Sequence, residues 1–250
     1  MEKTGSKKHR FGLVGKNISY SFSRGYFTEK FNFLGLQDHS YENFDLQEIA
    51  DFKKLFENNK NIKGLNVTIH YKEAVIPYLD AISTKAKKIG AVNTIKISKK
   101  GLKGYNTDVY GFKKSIKPLL KEHHKKALIL GTGGASKAIA FVFSELNIEY
   151  TFVSRRASVN QFGYNDLDQT ILDQYSILVN CTPLGTYPNI EERPAIPYQY
   201  ISKKHLLFDL IYNPEKTAFL KAGESKGAII ANGYHMLELQ AEKAWEIWNR

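Results

Sequence analysis

The chemistry in this chain is most legible in the stretch LILGTGGASKAIAFVFSEL, from Leu128 to Leu146. A short apolar run, Ala127 to Leu130, breaks at Gly131-Thr132-Gly133-Gly134 and resumes as an Ala-rich helical pattern. That is the layout of a loop wrapping a phosphate at a helix N-terminus, where glycines let the backbone approach an anion and the helix end offers free N–H groups. An ordinary strand-to-helix turn has the same appearance. The discriminating feature stands about twenty residues further on, where nucleotide folds read the adenosine ribose. Here an alternating segment, Glu149 to Ser154, ends in Arg155-Arg156, with no acidic residue at its end. An acid would bind the free 2′-hydroxyl of NAD, whereas a guanidinium grips the 2′-phosphate of NADP with two charge-assisted bonds. NADP is therefore the expected cofactor; a solvated arginine pair is the plainer alternative.

A second set of polar residues lies in the first half. Ser19, Ser21 and Ser23 follow the first strand-like segment. Asn66-Val67-Thr68 ends another, with Lys72 four residues on. Asn93-Thr94 and Asn106-Thr107-Asp108 each are expected to follow a strand. Ligands of open α/β sheets collect outside the carboxyl ends of strands. A pocket of hydroxyls, amides, one lysine and one aspartate would suit a small polyhydroxylated acid, with serines on its carboxylate and amides on its hydroxyls. Taken singly, Ser21, Ser23 and Asp108 read equally well as helix caps, and Lys72 as a surface lysine.

The elements that must position these groups alternate along the chain. Strand patterns fall at 11–15, 40–45, 64–68, 127–130, 149–154, 177–180, 206–210 and 228–231, and helical ones at 21–36, 46–58, 72–80, 109–120 and 236–248. Val92 to Ile97 and Leu102 to Tyr105 flank Lys99-Lys100-Gly101 as a hairpin. Such alternation predicts parallel sheets with covering helices. The glycine loop begins only at Gly131, so the first half is a separate α/β unit, with the boundary near Asp108.

Composition narrows the function classes. The chain has 250 residues, enough for two domains, and its 42% hydrophobic content can build real cores. No apolar run is long enough for a membrane span. The segment MEKTGSKKHR lacks the apolar stretch of a secretory signal. Cys181 is the only cysteine, so no intrachain disulfide can form, and the cytoplasm is the expected location. The net charge of +11 points to anionic ligands. The lysines are scattered rather than striped with aromatics, which argues against a nucleic-acid-binding protein.

The whole set resembles the shikimate dehydrogenases. The resemblance is carried by Ser-x-Ser at Ser21 and Ser23, NVTIHYK at 66–72, GAVNT at 90–94 and YNTD at 105–108, then GTGGASKA at 131–138, SRR at 154–156, NCTPLG at 180–185, DLIYNPEKT at 209–217 and GYHMLELQ at 233–240. It implies NADPH-dependent, reversible reduction of 3-dehydroshikimate to shikimate. It implies a substrate domain, 1–108 plus 235–250, and a Rossmann-type NADP domain, 109–234, with the site in the cleft between them. By the resemblance Lys72 is the acid and base, and Asp108 lies beside it. Ser21, Ser23 and Tyr212 hold the carboxylate, while Thr68, Asn93 and Gln240 bind ring hydroxyls. Gly131, Gly133, Gly134 and Ala135 wrap the pyrophosphate; Ser154, Arg155 and Arg156 read the 2′-phosphate; Thr182, Ile211 and Gly233 line the nicotinamide end. No metal is implied, and monomer and homodimer are both open. Cys181 reads as a small buried residue.

The chain departs from the family pattern at several places. Tyr20 stands where the family usually has His, and Arg24 and His70 where it usually has Pro. The cofactor loop reads Ser-Arg-Arg, with Val159 where a second basic residue is common. Three alternatives follow: a quinate/shikimate enzyme with relaxed substrate or NAD use, a non-catalytic NADP-binding sensor, and a basic nucleic-acid binder. Lys72 and Asp108, both present, argue against the sensor.

Overall fold

The computed structural model describes residues 9–18, 22–68 and 70–250. Two compact units are present. One runs to Thr107 and takes back Ala241–Arg250; the other is Asp108–Gln240. The returning segment begins at Ala241, inside a helix, rather than at 235 as the sequence suggested, because it is the second half of that helix that packs on the first unit's core.

In the first unit, β1 (His9–Gly15), β2 (His39–Asp45) and β3 (Ile62–Val67) run parallel. β5 (Thr94–Ser98) and β6 (Gly101–Tyr105) form the expected hairpin, and β4 (Ala81–Ile82) closes the sheet in the order β2-β1-β3-β5-β6-β4. The sheet is mixed rather than wholly parallel, since β5 runs against β3. Residues 11–15 of β1 read FGLVG and are buried on both faces, as a central strand must be. One face buries Phe11 and Leu13 with Phe27 and Phe31 of α1 (Phe22–Phe33), Tyr41, and Ala241, Ala244 and Trp248 of α9 (Tyr234–Trp248). Spacing of i, i+4 puts Ser23, Phe27 and Phe31 on one face of α1, so a serine is carried against the sheet with the phenylalanines. Both tryptophans therefore pack within their own chain, and Trp248 donates its indole N–H to the Ile95 carbonyl at 3.0 Å. Gly64 is required here: a Cβ at that position would enter the Trp248 ring.

The opposite face buries Val14, Phe52, Leu55, Leu65, Val67 and Ile95. Two helices expected there are shorter than their patterns. The segment 46–58 splits into a 3₁₀ turn, Ile49–Phe52, and α2 (Lys54–Asn58). The segment 72–80 gives α3 (Tyr71–Ala74) and then a 3₁₀ turn, Ile76–Tyr78, because Pro77 supplies no backbone donor. α4 (Thr84–Ile89), capped by Ser83 and closed by left-handed Gly90, escaped the periodicity reading because it is under two turns long.

The second unit begins with α5 (Asp108–Ile116), which likewise stops short of Leu120 ahead of Pro118. Its sheet is wholly parallel: β7 (Lys126–Leu130), β8 (Glu149–Ser154), β9 (Gln161–Gly163), β10 (Ile177–Asn180), β11 (Leu206–Asp209) and β12 (Ile229–Ala231). The order β12-β11-β10-β7-β8-β9 is, counted from β7, the 3-2-1-4-5-6 order of dinucleotide folds. The order reverses between β7 and β10, which makes that junction the crevice for a ligand. α6 (Gly134–Glu145) and α5 cover one face, where Phe112 meets Phe143 and Phe208 edge-on at 5.5 and 5.1 Å. Leu128, Leu130, Leu178 and Leu207 pack on the other face with α7 (Gln169–Gln174) and α8 (Ala218–Glu224). No helix among the described residues is long and apolar enough to cross a membrane.

Candidate active site

In the first unit, the carboxyl ends of β1, β3 and β6 share one sheet edge with the amino end of antiparallel β5, since Asn66 pairs with Thr94 and Thr94 with Tyr105. Asn93 therefore precedes its strand rather than following it, and the antiparallel direction of β5 still delivers it to that edge. Ser23 is buried in the first turn of α1. Thr68 follows β3 and anchors its N–H on the Val14 carbonyl at 2.9 Å. Lys72 is half-buried in α3, and its carbonyl accepts from Val92 N–H at 2.7 Å, tying α3 to the turn that carries Asn93. Ser21, like Ser19 and Tyr20, lies outside the described residues.

These groups are joined by buried side chains of the polar clusters named above, Asn66, Thr94 and Thr107, and by Tyr41, which the sequence motifs did not single out. Tyr41 hydrogen-bonds Ser23 and donates its phenolic proton to Asn66 Oδ1 at 2.8 Å. Asn66 Nδ2 reaches Thr94 Oγ1 at 3.3 Å and the Asn93 carbonyl at 3.4 Å. Thr94 donates to Asn93 Oδ1 at 3.1 Å, and Asn93 Oδ1 also accepts Thr107 N–H at 2.7 Å. Asn93 Nδ2 donates to Thr107 Oγ1 at 2.9 Å. One hydrogen-bonded line thus runs from Ser23 to Thr107 through the sheet edge. Burial pushes the Tyr41 phenol far up, so it stays a neutral donor. The signal in the sequence was slight: Tyr41 is the inward aromatic of HSYENFD, with no special spacing.

His70 adopts φ +71° just before α3 and is exposed, as a helix-start residue. A proline ring excludes that angle, so the backbone here takes a course the usual family residue could not.

In the second unit, β7 is followed by Gly131, which adopts φ +103°, a left-handed-side conformation that favours glycine. A Cβ there would lie 3.1 Å from Thr182 Cγ2, so the glycine loop and the loop after β10 meet at the sheet's reversal point. Gly133 precedes α6, and Gly134 and Ala135 form its first turn, with Ser136 closing the turn onto the Gly133 carbonyl at 2.6 Å through its hydroxyl. Nothing lies within 4 Å of where a Gly133 side chain would start, so the loop faces open space. Ser154 ends β8, with Arg155 and Arg156 exposed beyond it, and the three line a pocket of about 560 Å³. Burial raises the phenol of Tyr164, and the Arg155 charge draws it back. An open glycine cradle at the end of a 12-residue helix, in a unit that also exposes two adjacent guanidinium groups after β8, fits a dinucleotide with an extra phosphate.

Thr182 and Ile211 are both held by buried side chains. Asn180 Oδ1 accepts from Thr182 N and Oγ1 at 3.0 and 2.7 Å, and Asp209 Oδ1 accepts from Ile211 N at 3.0 Å. Burial pushes the Asp209 carboxyl up to about 6 against three hydrogen bonds that pull it down. Cys181 is half-buried, its thiol pushed up by burial and by the Asp209 charge. Gly233 is explained by packing: a Cβ would strike the Leu210 carbonyl. Asp108 is buried at the start of α5, Gln240 is buried in α9 and donates to the Leu237 carbonyl at 3.0 Å, and half-buried Tyr212 has its phenol raised by burial.

The second unit is thus a Rossmann-type nucleotide-binding unit, and the whole is an α/β oxidoreductase with a polar-edged partner unit. Residues 13–95 match the family model described as the shikimate dehydrogenase substrate binding domain. The chain is 38% identical to a shikimate dehydrogenase (NADP(+)) of Methanosphaera stadtmanae, over 95% of this chain and 90% of the relative. It superposes on shikimate dehydrogenase 1 from Peptoclostridium difficile with TM-score 0.82 at 38% identity, covering 96% and 91% of the two chains. The Thermus thermophilus enzyme, solved with NADP(H) and shikimate, gives TM-score 0.85 at 30% identity, covering 96% and 93%. The chain belongs to the shikimate dehydrogenase family.

Proposed function

We propose that this chain reduces 3-dehydroshikimate to shikimate with NADPH, reversibly, on the route to chorismate and the aromatic amino acids. The observation that supports the reading is the polar edge of the first unit, where a buried hydrogen-bonded line runs from Tyr41 through Asn66 and Asn93 to Thr107, with α3, which carries Lys72, tied by its backbone to the turn before Asn93. A ring acid with several hydroxyls needs such a set. The cofactor supplies the hydride that reduces the ring ketone. Lys72 gives a proton to the developing alkoxide, and takes it back in the oxidative direction. Asp108 holds the reacting hydroxyl. Ser21, Ser23 and Tyr212 donate to the substrate carboxylate, and Thr68, Asn93 and Gln240 bind its hydroxyls.

On the cofactor side, Gly131, Gly133, Gly134 and Ala135 accommodate the pyrophosphate. Ser154, Arg155 and Arg156 take the 2′-phosphate, the adjacent arginines doing what a second basic residue at the Val159 position does elsewhere. Thr182, Ile211 and Gly233 border the nicotinamide. The single cysteine suits a reducing compartment, and we assign the enzyme to the cytoplasm.

The test is absorbance at the reduced-nicotinamide band with purified protein, shikimate or quinate, and NADP or NAD in parallel. Reduction with shikimate and NADP alone is expected. Equal turnover with quinate or NAD would move the protein to the relaxed-specificity reading, and no turnover with any pair would overturn catalysis.

A further inference from the structure

Two residues to which the resemblance assigns no role, the first of NCTPLG and the first of DLIYNPEKT, sit at the centre of the second unit. Asn180 and Asp209 are register partners at the carboxyl ends of β10 and β11, and both are fully buried. Each side chain reaches two residues forward into its own loop, Asn180 to Thr182 and Asp209 to Ile211, the turn geometry that Asn and Asp favour. Asn180 Nδ2 donates to Asp209 Oδ1 at 3.0 Å, which links the two loops through one pair. The same amide reaches the Leu184 carbonyl at 3.3 Å. Thr217, the N-cap of α8, donates to Asp209 Oδ2 at 2.6 Å and receives Leu220 N–H at 3.3 Å. The far end of the 209–217 loop is therefore fastened to the same carboxylate.

Every hydrogen-bond partner of Asp209 here is neutral: an amide, a hydroxyl and a backbone N–H. A buried carboxylate without a cation is costly to fold around. It does not stabilise the unit by pairing charge; it sets geometry. Asn180 cannot turn its amide over, because the carboxylate requires the N–H end, so its oxygen always faces Thr182. Thr182 in turn stands against the Gly131 loop at the reversal point of the sheet.

We infer that the Asn180–Asp209 pair is a positioning device for the nicotinamide end of the cofactor, fixing together the two loops that carry Thr182 and Ile211. The inference rests on the NADP reading above. The adenosine end is held elsewhere, by the glycine loop and the arginines after β8. The two ends of the cofactor can therefore be uncoupled by changing this pair.

Adenosine 2′,5′-bisphosphate, which carries only the adenosine end, is the probe, measured by calorimetry on the full chain beside NADP. For Asp209→Ala we expect its affinity to stay within about twofold, while NADP binds more weakly and kcat falls about tenfold or more at a nearly constant KM for shikimate, the scale of a positioning error near 1 Å. Asp209→Asn, which keeps an acceptor for Ile211 and an N–H for Thr217, should restore most of kcat. Parallel loss of both ligands would reduce the pair to a folding element and overturn the inference, as would unchanged kcat. If Asp209→Ala does not fold, Thr217→Val carries the same test: a kcat loss of about threefold with unchanged adenosine-bisphosphate affinity supports the inference, and no loss overturns it. A wild-type protein that binds neither ligand would instead sink the NADP reading itself.

Discussion

Replacing Tyr41 by Phe tests whether the buried hydrogen-bonded line through the first unit is under load. The change removes one oxygen and no packing: Tyr41 stacks on Phe27 with ring centroids 4.6 Å apart, and the ring stays. Asn66 Oδ1 then loses its 2.8 Å donor in a site closed to water. A buried acceptor left without a partner costs about 1–3 kcal/mol. Ser23 loses its bond to the phenol as well, about another 0.5–1.5 kcal/mol at a site that is itself nearly closed. The expected destabilisation is about 2–4 kcal/mol. Both tryptophans, Trp245 and Trp248, lie in the same cluster as Tyr41 and in the same unit, so their fluorescence during urea unfolding reports this unit. With a urea slope of ~2 kcal/mol/M the midpoint should fall by about 1–2 M. Binding of adenosine 2′,5′-bisphosphate, a property of the other unit, should not change. A midpoint shift below about 0.2 M would mean that the phenol carries no hydrogen bond of consequence and would refute the line from Ser23 to Asn66.

Other outcomes follow from the same geometry. The Asp209 carboxyl, pushed up to about 6 from 3.8, binds more protons in the native than in the unfolded state between those values. Stability from this group is therefore present at low pH and lost as pH rises through about 4 to 6, by about 3 kcal/mol in all. The stability difference between Asp209→Asn and wild type should grow by about 2 kcal/mol of that from pH 4 to pH 7, and a difference independent of pH would show that burial does not govern the group. Gly64→Ala should destabilise the first unit by about 1–3 kcal/mol and shift Trp248 emission, because the new methyl enters the indole. An unchanged spectrum would contradict the packing of α9 on β3. Arg155→Ala should raise KM for NADP about tenfold or more with little effect on NAD, the worth of a charge-assisted phosphate contact. Equal effects on the two cofactors would remove the 2′-phosphate role.

Local chemistry determined much of this protein before any fold was known. Gly131, Gly133 and Gly134 after an apolar run announce a backbone that must approach an anion, and Arg155-Arg156 announce the phosphate they suit, because these needs are met within a few consecutive residues. Short strands of alternating or mostly apolar pattern, such as 149–154 and 177–180, are legible for the same reason. What tertiary structure alone decided are the joins between distant segments. Asn93 reaches the site edge because β5 runs antiparallel, a fact of pairing that no pattern in GAVNT contains. Tyr41 of β2, Asn66 of β3, Thr94 of β5 and Thr107 just beyond β6 act as one line only because the sheet gathers them at one edge. Asn180 and Asp209 are 29 residues apart in sequence and 3.0 Å apart in space, an adjacency set by the parallel register of β10 and β11. Short-range signals specify what a segment wants, while buried polar groups find partners only when the chain closes, since water satisfies each of them until then.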